Sequence, residues 1–152
     1  AYFMVQPYGY LKTGSHAHEH NDGPVATRLL ELWKSHQNFL SNPHYLGKFD
    51  QFLNGGIPNC RAGRAFFNID STGDIAICVE NRKKPIANLL RDSRHTIRDR
   101  LRAASRNNPC TQCWYNCRGE VESLYKPRSL LMSLPSFIHN RGAAKGKMGR
   151  WV

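Results

Sequence analysis

The chain has 152 residues, enough for one domain or for one small domain with additional segments. Apolar residues make up 40% of it, and no apolar run approaches membrane-spanning length, so the sequence excludes a membrane-spanning segment. The net charge is +11, and the excess lies mainly from Arg82 onward, because residues 1–60 are close to neutral. Such a charge favours a polyanionic partner or an acidic protein surface. Since the sequence begins at Ala1, without methionine, we expect it to be the middle of a larger protein or a processed piece.

The first part of the chain, residues 1–56, is predicted to contain one strand and two helices. Residues 2–5 are a short apolar run typical of a buried strand. Residues 21–24 supply a capping side chain and then a proline, and apolar residues follow at helical spacing, which predicts an amphipathic helix over 25–40. A second short helix is predicted at 45–53. This order resembles one βα unit of a parallel α/β fold.

Three histidines alternate in the polar loop between the predicted strand and the first helix: His16, His18 and His20. In an extended segment this alternation places the imidazoles on one side, as metal ligands require. Most such loops are exposed to solvent and bind no physiological metal. We therefore assign no metal site to them.

The central part of the chain changes to strand-forming residues. Residues 64–78 predict a β-hairpin, because β-branched and aromatic residues flank a turn that contains Gly73. After a loop, residues 93–105 predict a helix capped by Ser93, and 121–125 predict a further short helix.

All five cysteines lie in this central part: Cys60, Cys78, Cys110, Cys113 and Cys117. Thiolates are soft ligands that hold zinc or iron–sulfur clusters. The hairpin is predicted to bring Cys60 towards Cys78. The last three cysteines form C-x2-C-x3-C, whose spacing predicts three sulfurs on one helical face. Buried free thiols or disulfides are the alternative, but the odd count and the lack of a signal peptide disfavour disulfides and favour a reducing, cytoplasmic compartment.

Four arginines recur every four residues along the helix predicted at 93–105: Arg94, Arg98, Arg102 and Arg106. The simple interpretation of this basic stripe is a solvated helix face. The functional interpretation is a docking surface for an acidic peptide, a leader sequence or a nucleic acid.

Several short motifs follow one another in a defined order along residues 60–125. They are Cys60 with Ala62-Gly63, the turn Asn68-Ile69-Asp70-Ser71-Thr72-Gly73-Asp74-Ile75, then Cys78, then Ala87-Asn88-Leu89, and finally Cys110-x-x-Cys113-Trp114-Tyr115-Asn116-Cys117-Arg118-Gly119-Glu120. This series resembles the C-terminal SPASM/twitch region of radical SAM enzymes. It covers under half of the chain, and its order and spacing are more specific than a lone CxxC.

The resemblance implies an α+β fold, with a small β-hairpin and helices around a cysteine-ligated metal cluster. The βα unit of residues 1–56 would then be similar to the end of a partial α/β barrel. The cluster domain would span 57–126, and 127–152 would be a C-terminal segment. Its last part, 141–152, contains three glycines and four basic residues without an acidic one, which predicts a flexible basic tail. In α/β barrels the loops after strands lie on the active-site face, which would place His16, His18 and His20 near substrate.

Regions of this kind hold one or two auxiliary 4Fe–4S clusters, and five cysteines suffice for one four-thiolate cluster. The hairpin accounts for Cys60 and Cys78 as ligands. By resemblance Cys110 and Cys113 complete the set. Alternatively, Cys117 replaces one of them, caps the site without binding the metal, or is an ordinary buried cysteine. The adjacent Trp114 and Tyr115 would either shield the cluster from water or belong to the core. Zinc is the alternative metal.

The resemblance therefore implies an auxiliary cluster region of a radical SAM enzyme that modifies a peptide, a protein or a small sugar-like substrate. The cluster would transfer an electron or position the substrate. A SAM-cleaving core needs a CxxxCxxC loop, which this sequence lacks, so we do not expect this chain to bind SAM productively or to cleave it alone. SAM and substrate would be bound with a core outside this chain.

Two other classes of function compete with this one. A zinc-stabilised nucleic-acid-binding module is supported by the charge and the CxxC, although aromatic residues are not interleaved with the basic stripe as base stacking requires. The other is a structural metal domain that serves as a subunit contact.

Overall fold

The computed structural model describes residues 3–9, 14, 23–106, 108–125, 127–131 and 134. Within them, helices combine with a small three-stranded antiparallel sheet, an arrangement compatible with the predicted α+β class. No helix among these residues is long and apolar enough to cross a membrane. The elements are α1 (Val25–Ser35), α2 (Pro43–Leu46), α3 (Phe49–Leu53), β1 (Asn68–Ile69), β2 (Asp74–Ala76), a 3₁₀ helix (Val79–Asn81), β3 (Ala87–Asn88), α4 (Arg94–Arg106) and α5 (Asn116–Ser123).

Helix α1 is shorter than the predicted 25–40. It ends at Ser35, whose hydroxyl donates to a carbonyl of the preceding turn at 3.0 Å, and His36 is already extended (φ −124°, ψ 103°). Phe39 is fully buried and forms a parallel bridge with Phe3. A contact between distant parts of the chain thus overrides the helical spacing.

The predicted buried strand at residues 2–5 is also wrong within the part the structure describes. Phe3 makes an isolated bridge, with its N–H donating to the Asn38 carbonyl at 3.1 Å. Phe3 and Met4 are 39% and 48% exposed. The segment is therefore a surface bridge rather than a core strand.

The helix predicted at 45–53 is divided into α2 and α3. The Asn42 side chain accepts from the His44 N–H at 2.8 Å and caps α2. In α3, Asp50 Oδ1 accepts from the Ala26 N–H at 3.0 Å, so this carboxylate satisfies a donor in the first turn of α1.

The first of two hydrophobic cores joins these three helices to the cysteine-rich segment. Its buried members are Ala26, Phe39, Tyr45, Leu46, Phe49, Phe52, Ile57 and Trp114. The Trp114 Nε1–H donates to the Tyr45 carbonyl at 2.8 Å. This core crosses the domain boundary predicted at 56/57, and the boundaries themselves stay a prediction.

The hairpin predicted over 64–78 is confirmed, with short strands. Asn68 pairs with Ala76 and Ile69 with Ile75, and the turn contains Gly73 at φ +81°. The third strand, β3, was not predicted. It pairs with β2, and the Asn88 Nδ2–H donates to Asp74 Oδ1 at 2.7 Å.

Helix α4 agrees with the predicted 93–105. The Ser93 hydroxyl oxygen accepts from the Thr96 N–H at 3.2 Å, as expected of a cap. Its buried residue Leu101 packs with Ile75 and Ala87 in the second hydrophobic core. Helix α5 begins at Asn116, five positions before the predicted 121–125. The predicted tail at 141–152 lies outside the described residues.

Candidate metal centre

Three separate segments of the chain meet at one cavity of about 110 Å³. The five cysteines all line it: Cys60, Cys78, Cys110, Cys113 and Cys117. Apolar side chains such as Phe66 and Ile77 complete the wall. The cysteines that the sequence singled out thus face a common space.

The loop before the hairpin positions Cys60, which is buried. Asn59 adopts a left-handed backbone conformation (φ 60°) and turns the chain just before the cysteine. Just after it, the Arg61 N–H donates to Glu122 Oε1 of α5 at 2.7 Å. The backbone on both sides of Cys60 is therefore fixed.

The hairpin carries Cys78 back to the same cavity. The residue follows β2 in extended conformation (φ −156°, ψ 169°), and its carbonyl accepts from the Asn81 N–H at 3.1 Å in the 3₁₀ helix. Cys60 and Cys78 thus line one cavity from the two ends of the hairpin, and their binding of a shared metal stays a prediction.

The remaining cysteines do not share one helical face, so that prediction is wrong. Cys110 and Cys113 lie in irregular backbone before α5, and Cys117 alone of the three is helical. The Cys110 N–H donates to Asn108 Oδ1 at 3.2 Å. This bond turns the chain into the C-x2-C-x3-C segment at residues 110–117, which we call the knuckle. Cys113 is buried and Cys117 is exposed.

Beside the cysteines lies a charged residue that sequence reasoning missed. The Arg118 side chain has no solvent exposure, and it makes four hydrogen bonds to described residues. Its acceptors are the carbonyls of Cys113 (2.9 Å), Ile57 (2.7 Å) and Pro58 (2.9 Å), and Glu122 Oε1 (3.3 Å). The guanidinium also lies 5.6 Å from the centre of the Trp114 ring.

Arg118 therefore joins the segment that leads to Cys60 with the segment that contains Cys113. A fork of fixed N–H donors suits several carbonyls at once, which a lysine could not satisfy in the same geometry. The sequence contains no signal of this role, because Arg118 follows the last cysteine in a pattern that suits an exposed arginine equally well.

The thiols themselves are strongly perturbed. A hydrogen bond between the Cys60 and Cys110 side chains raises the pKa of Cys60 and lowers the pKa of Cys110 to about 6. Burial raises the pKa of Cys113 to about 11. The nearby charge of Arg118 lowers the pKa of each of these thiols. The site thus favours a thiolate at Cys110, the protonation state that binds metals.

The donor set fits a four-thiolate group in kind and number. In the described part of the chain, no three His, Cys, Asp or Glu side chains converge in an arrangement that could hold a metal ion. The cysteines are distributed around the cavity wall instead, and the cavity has room for more than one water molecule. A cluster spreads its ligands over several iron atoms, so its ligands need not converge on one point.

The two aromatic residues of the knuckle have different surroundings. Tyr115 lines the cysteine cavity and is 3% exposed. Trp114 belongs to the first core, where its ring contacts Tyr45. The shielding interpretation is consistent with the position of Tyr115, and the core interpretation with that of Trp114.

The other predicted site residues lie away from the cysteines or outside the described part. The basic stripe of α4 lines a separate groove. His16, His18 and His20 lie outside the described residues. Comparisons with protein-family models, curated proteins and solved structures found no match to this chain.

Proposed function

We propose that residues 57–126 form an auxiliary 4Fe–4S cluster domain, similar to the SPASM/twitch region of radical SAM enzymes. The observation that carries the proposal is the meeting of five cysteines from three chain segments at one cavity. Buried free thiols have no reason to gather from such distant positions, whereas a four-thiolate cluster requires it.

The residues around the cavity have defined tasks in this proposal. Cys60 and Cys78 supply two thiolates, and two of Cys110, Cys113 and Cys117 supply the others. Arg118 holds two of the ligand segments together and favours the thiolate forms through its charge. Residues 1–56 would correspond to the end of the parent enzyme's barrel, with its helices kept and its strand reduced to the Phe3–Phe39 bridge.

A bound cluster would supply one-electron chemistry or orient a substrate during modification of a peptide, a protein or a small sugar-like molecule. Four protein thiolates favour electron transfer, because they leave no open position for a substrate. The exposed Cys117 provides a fifth thiol beside the cavity.

The composition of the bound metal tests the proposal. We expect anaerobically purified and reconstituted protein to be brown and to contain about four iron atoms and about four sulfides per chain. The measurements are iron, zinc and acid-labile sulfide content with a visible absorption spectrum. A colourless protein with one zinc per chain would contradict the proposal.

A colourless protein with one zinc per chain would instead correspond to a different class of function, a zinc-stabilised nucleic-acid-binding module. One observation favours it, namely that the side chains of Cys60 and Cys110 are near enough to shift each other's pKa. Ligands of a single tetrahedral zinc lie close together, because each Zn–S bond is only about 2.3 Å. Zinc content measured in the same samples therefore separates the two candidates.

A further inference from the structure

A wide groove runs along α4, apart from the cysteine cavity. Its volume is about 1070 Å³, and the two spaces share none of their lining residues. Five arginines line the groove: Arg64, Arg94, Arg98, Arg102 and Arg106. All four members of the basic stripe thus face one concave surface.

Little of this positive charge is neutralised by the described residues. Arg98 pairs with Asp99 at 3.3 Å, but both side chains are largely exposed, so water screens the pair. Asp92 is the acidic residue that lines the groove, and it already accepts from Arg100 at 3.1 Å and from the Asn88 N–H at 2.7 Å. The groove therefore has an excess of cationic donors.

Exposed apolar side chains lie between the charges. Phe67 and Leu89, from the two ends of the sheet region, line the groove and are 49% and 52% exposed. Ile97 and Leu101 of α4 line it as well. Leu101 is buried, so Phe67 and Leu89 supply most of the exposed apolar surface, and such surface next to charge is typical of a binding site.

We propose that this groove binds an extended acidic peptide segment in which acidic and apolar residues alternate. Four residues of a helix advance about 6 Å, which separates consecutive stripe arginines along α4. Two residues of an extended chain advance about 6.6 Å, so carboxylates at alternate positions match the arginines. The intervening side chains point the other way, towards apolar surface such as Phe67 and Leu89.

A peptide fits the groove better than a nucleic acid does. Guanidinium groups bind carboxylates and phosphates alike with paired hydrogen bonds, so the apolar lining decides between them, and it suits aliphatic side chains. Single-stranded nucleic acids need successive aromatic platforms, and in the described part of the chain Phe67 is the aromatic residue that lines the groove.

Fluorescence anisotropy with labelled peptides and the full chain tests this inference. The probes are an eight-residue peptide of alternating Asp and Val, an isomer with four Asp followed by four Val, and an eight-nucleotide single-stranded DNA. We expect the alternating peptide to bind best. The chain is used with whatever metal it holds after anaerobic purification, and anisotropy does not measure iron, so the test succeeds or fails separately from the proposed cluster.

Two double variants with the same charge change locate the binding site. Arg98→Glu with Arg102→Glu should weaken binding of the alternating peptide at least about tenfold, because charge-assisted pairs are lost. Arg82→Glu with Lys83→Glu, two exposed residues outside the groove, should change it less than about twofold at physiological salt.

Phe67→Ser provides a test that leaves the charge unchanged. It should weaken binding of the Asp-Val peptide but not of a weaker-binding Asp-Gly peptide. The inference is overturned by absent peptide binding, by equal loss in the two double variants, by equal affinity for the block isomer, or by tighter, groove-dependent binding of the DNA. Circular dichroism of each variant identifies loss of fold. If the variant with Arg98→Glu and Arg102→Glu does not fold, Arg98→Gln with Arg102→Gln replaces it.

Discussion

At the scale of single residues, Arg118 has the most demanding environment near the cysteines. A guanidinium without solvent access is tolerated only where hydrogen bonds replace its hydration. Its four bonds reach carbonyls on both sides of the cavity and Glu122. The residue therefore holds the ligand-bearing segments in place rather than acting as a ligand.

Replacing this residue should be costly. We expect Arg118→Met to lower the free energy of unfolding by about 3 kcal/mol, since buried carbonyls and a carboxylate lose their donor. Urea unfolding of the reconstituted chain measures the change. Arg82→Met is the control, because an exposed arginine should change stability by less than about 0.5 kcal/mol. Similar small effects for both variants would argue against the structural role of Arg118.

Cys110 offers a prediction about pH in the metal-free chain. Because its pKa is lowered to about 6, mostly by the hydrogen bond with Cys60, it should be largely thiolate at pH 7. Alkylation by iodoacetamide should then be faster at Cys110 than at Cys113 and should slow as the pH falls through about 6. Cys113, whose pKa is raised to about 11, should react much more slowly. Peptide mass spectrometry after timed quenching measures both rates, and equal rates at pH 7 would contradict the assignment.

At the scale of elements, Gly119 determines how α5 approaches α2. A side chain at this position would collide with the Tyr45 ring and crowd Trp114. Alanine normally favours a helix by up to about 1 kcal/mol over glycine, but overpacking a rigid aromatic contact costs about 1–3 kcal/mol. The steric term should exceed the helical gain.

We therefore expect Gly119→Ala to lower the thermal unfolding midpoint. The same substitution in a Tyr45→Leu background should cost less, because the collision with the ring is removed. Differential scanning fluorimetry on the four proteins of this cycle provides the measurement. Strict additivity would show that the Tyr45 contact is not the cause.

The same glycine explains why α5 was only partly predictable from the sequence. Local signals were sufficient where an element is stabilised by its own residues, as with the Ser93 cap of α4 and the Gly73 turn. They failed where distant residues decide the structure. The Phe3–Phe39 bridge takes residues that were predicted to continue α1. Gly119 lies within α5 because only a residue without a side chain leaves room for the Tyr45 ring.

The cysteine site shows the same difference between local signals, which the sequence contains, and contacts between distant residues, which it does not. The position of Cys60 and Cys78 at one cavity was predictable, because a hairpin brings its own ends together. The buried position of Arg118 was not, because it depends on carbonyls about sixty residues earlier in the chain.

At the scale of the whole molecule, metal and core stability are linked. The first core includes Ile57 and Trp114, which lie close in sequence to Cys60 and Cys113. A group bound by the cysteines would thus stabilise both the cavity and the helices packed on Trp114. With small cores on either side, the chain should be only marginally stable without its metal.

The proposed role also predicts what the isolated chain does not do. Radical SAM enzymes, to which we propose that residues 57–126 are similar, cleave SAM at an iron held by the three cysteines of a CxxxCxxC loop. Four ligands taken from five cysteines leave no second trio, so we expect no cleavage. The assay incubates reconstituted protein with dithionite and SAM and measures 5′-deoxyadenosine. Formation above a no-protein control would require an unrecognised SAM-binding cluster.

The central claim is that four of the five cysteines hold one iron–sulfur cluster, and five single Cys→Ser variants test it most directly. Iron and acid-labile sulfide are measured per chain after identical anaerobic reconstitution. We predict that Cys60→Ser and Cys78→Ser lose stoichiometric iron, because no other thiol can replace them, and that Cys117→Ser retains at least part of it, because the knuckle offers three sulfurs for two positions. A full cluster in Cys78→Ser, or iron content that is the same in all five variants, would contradict the claim.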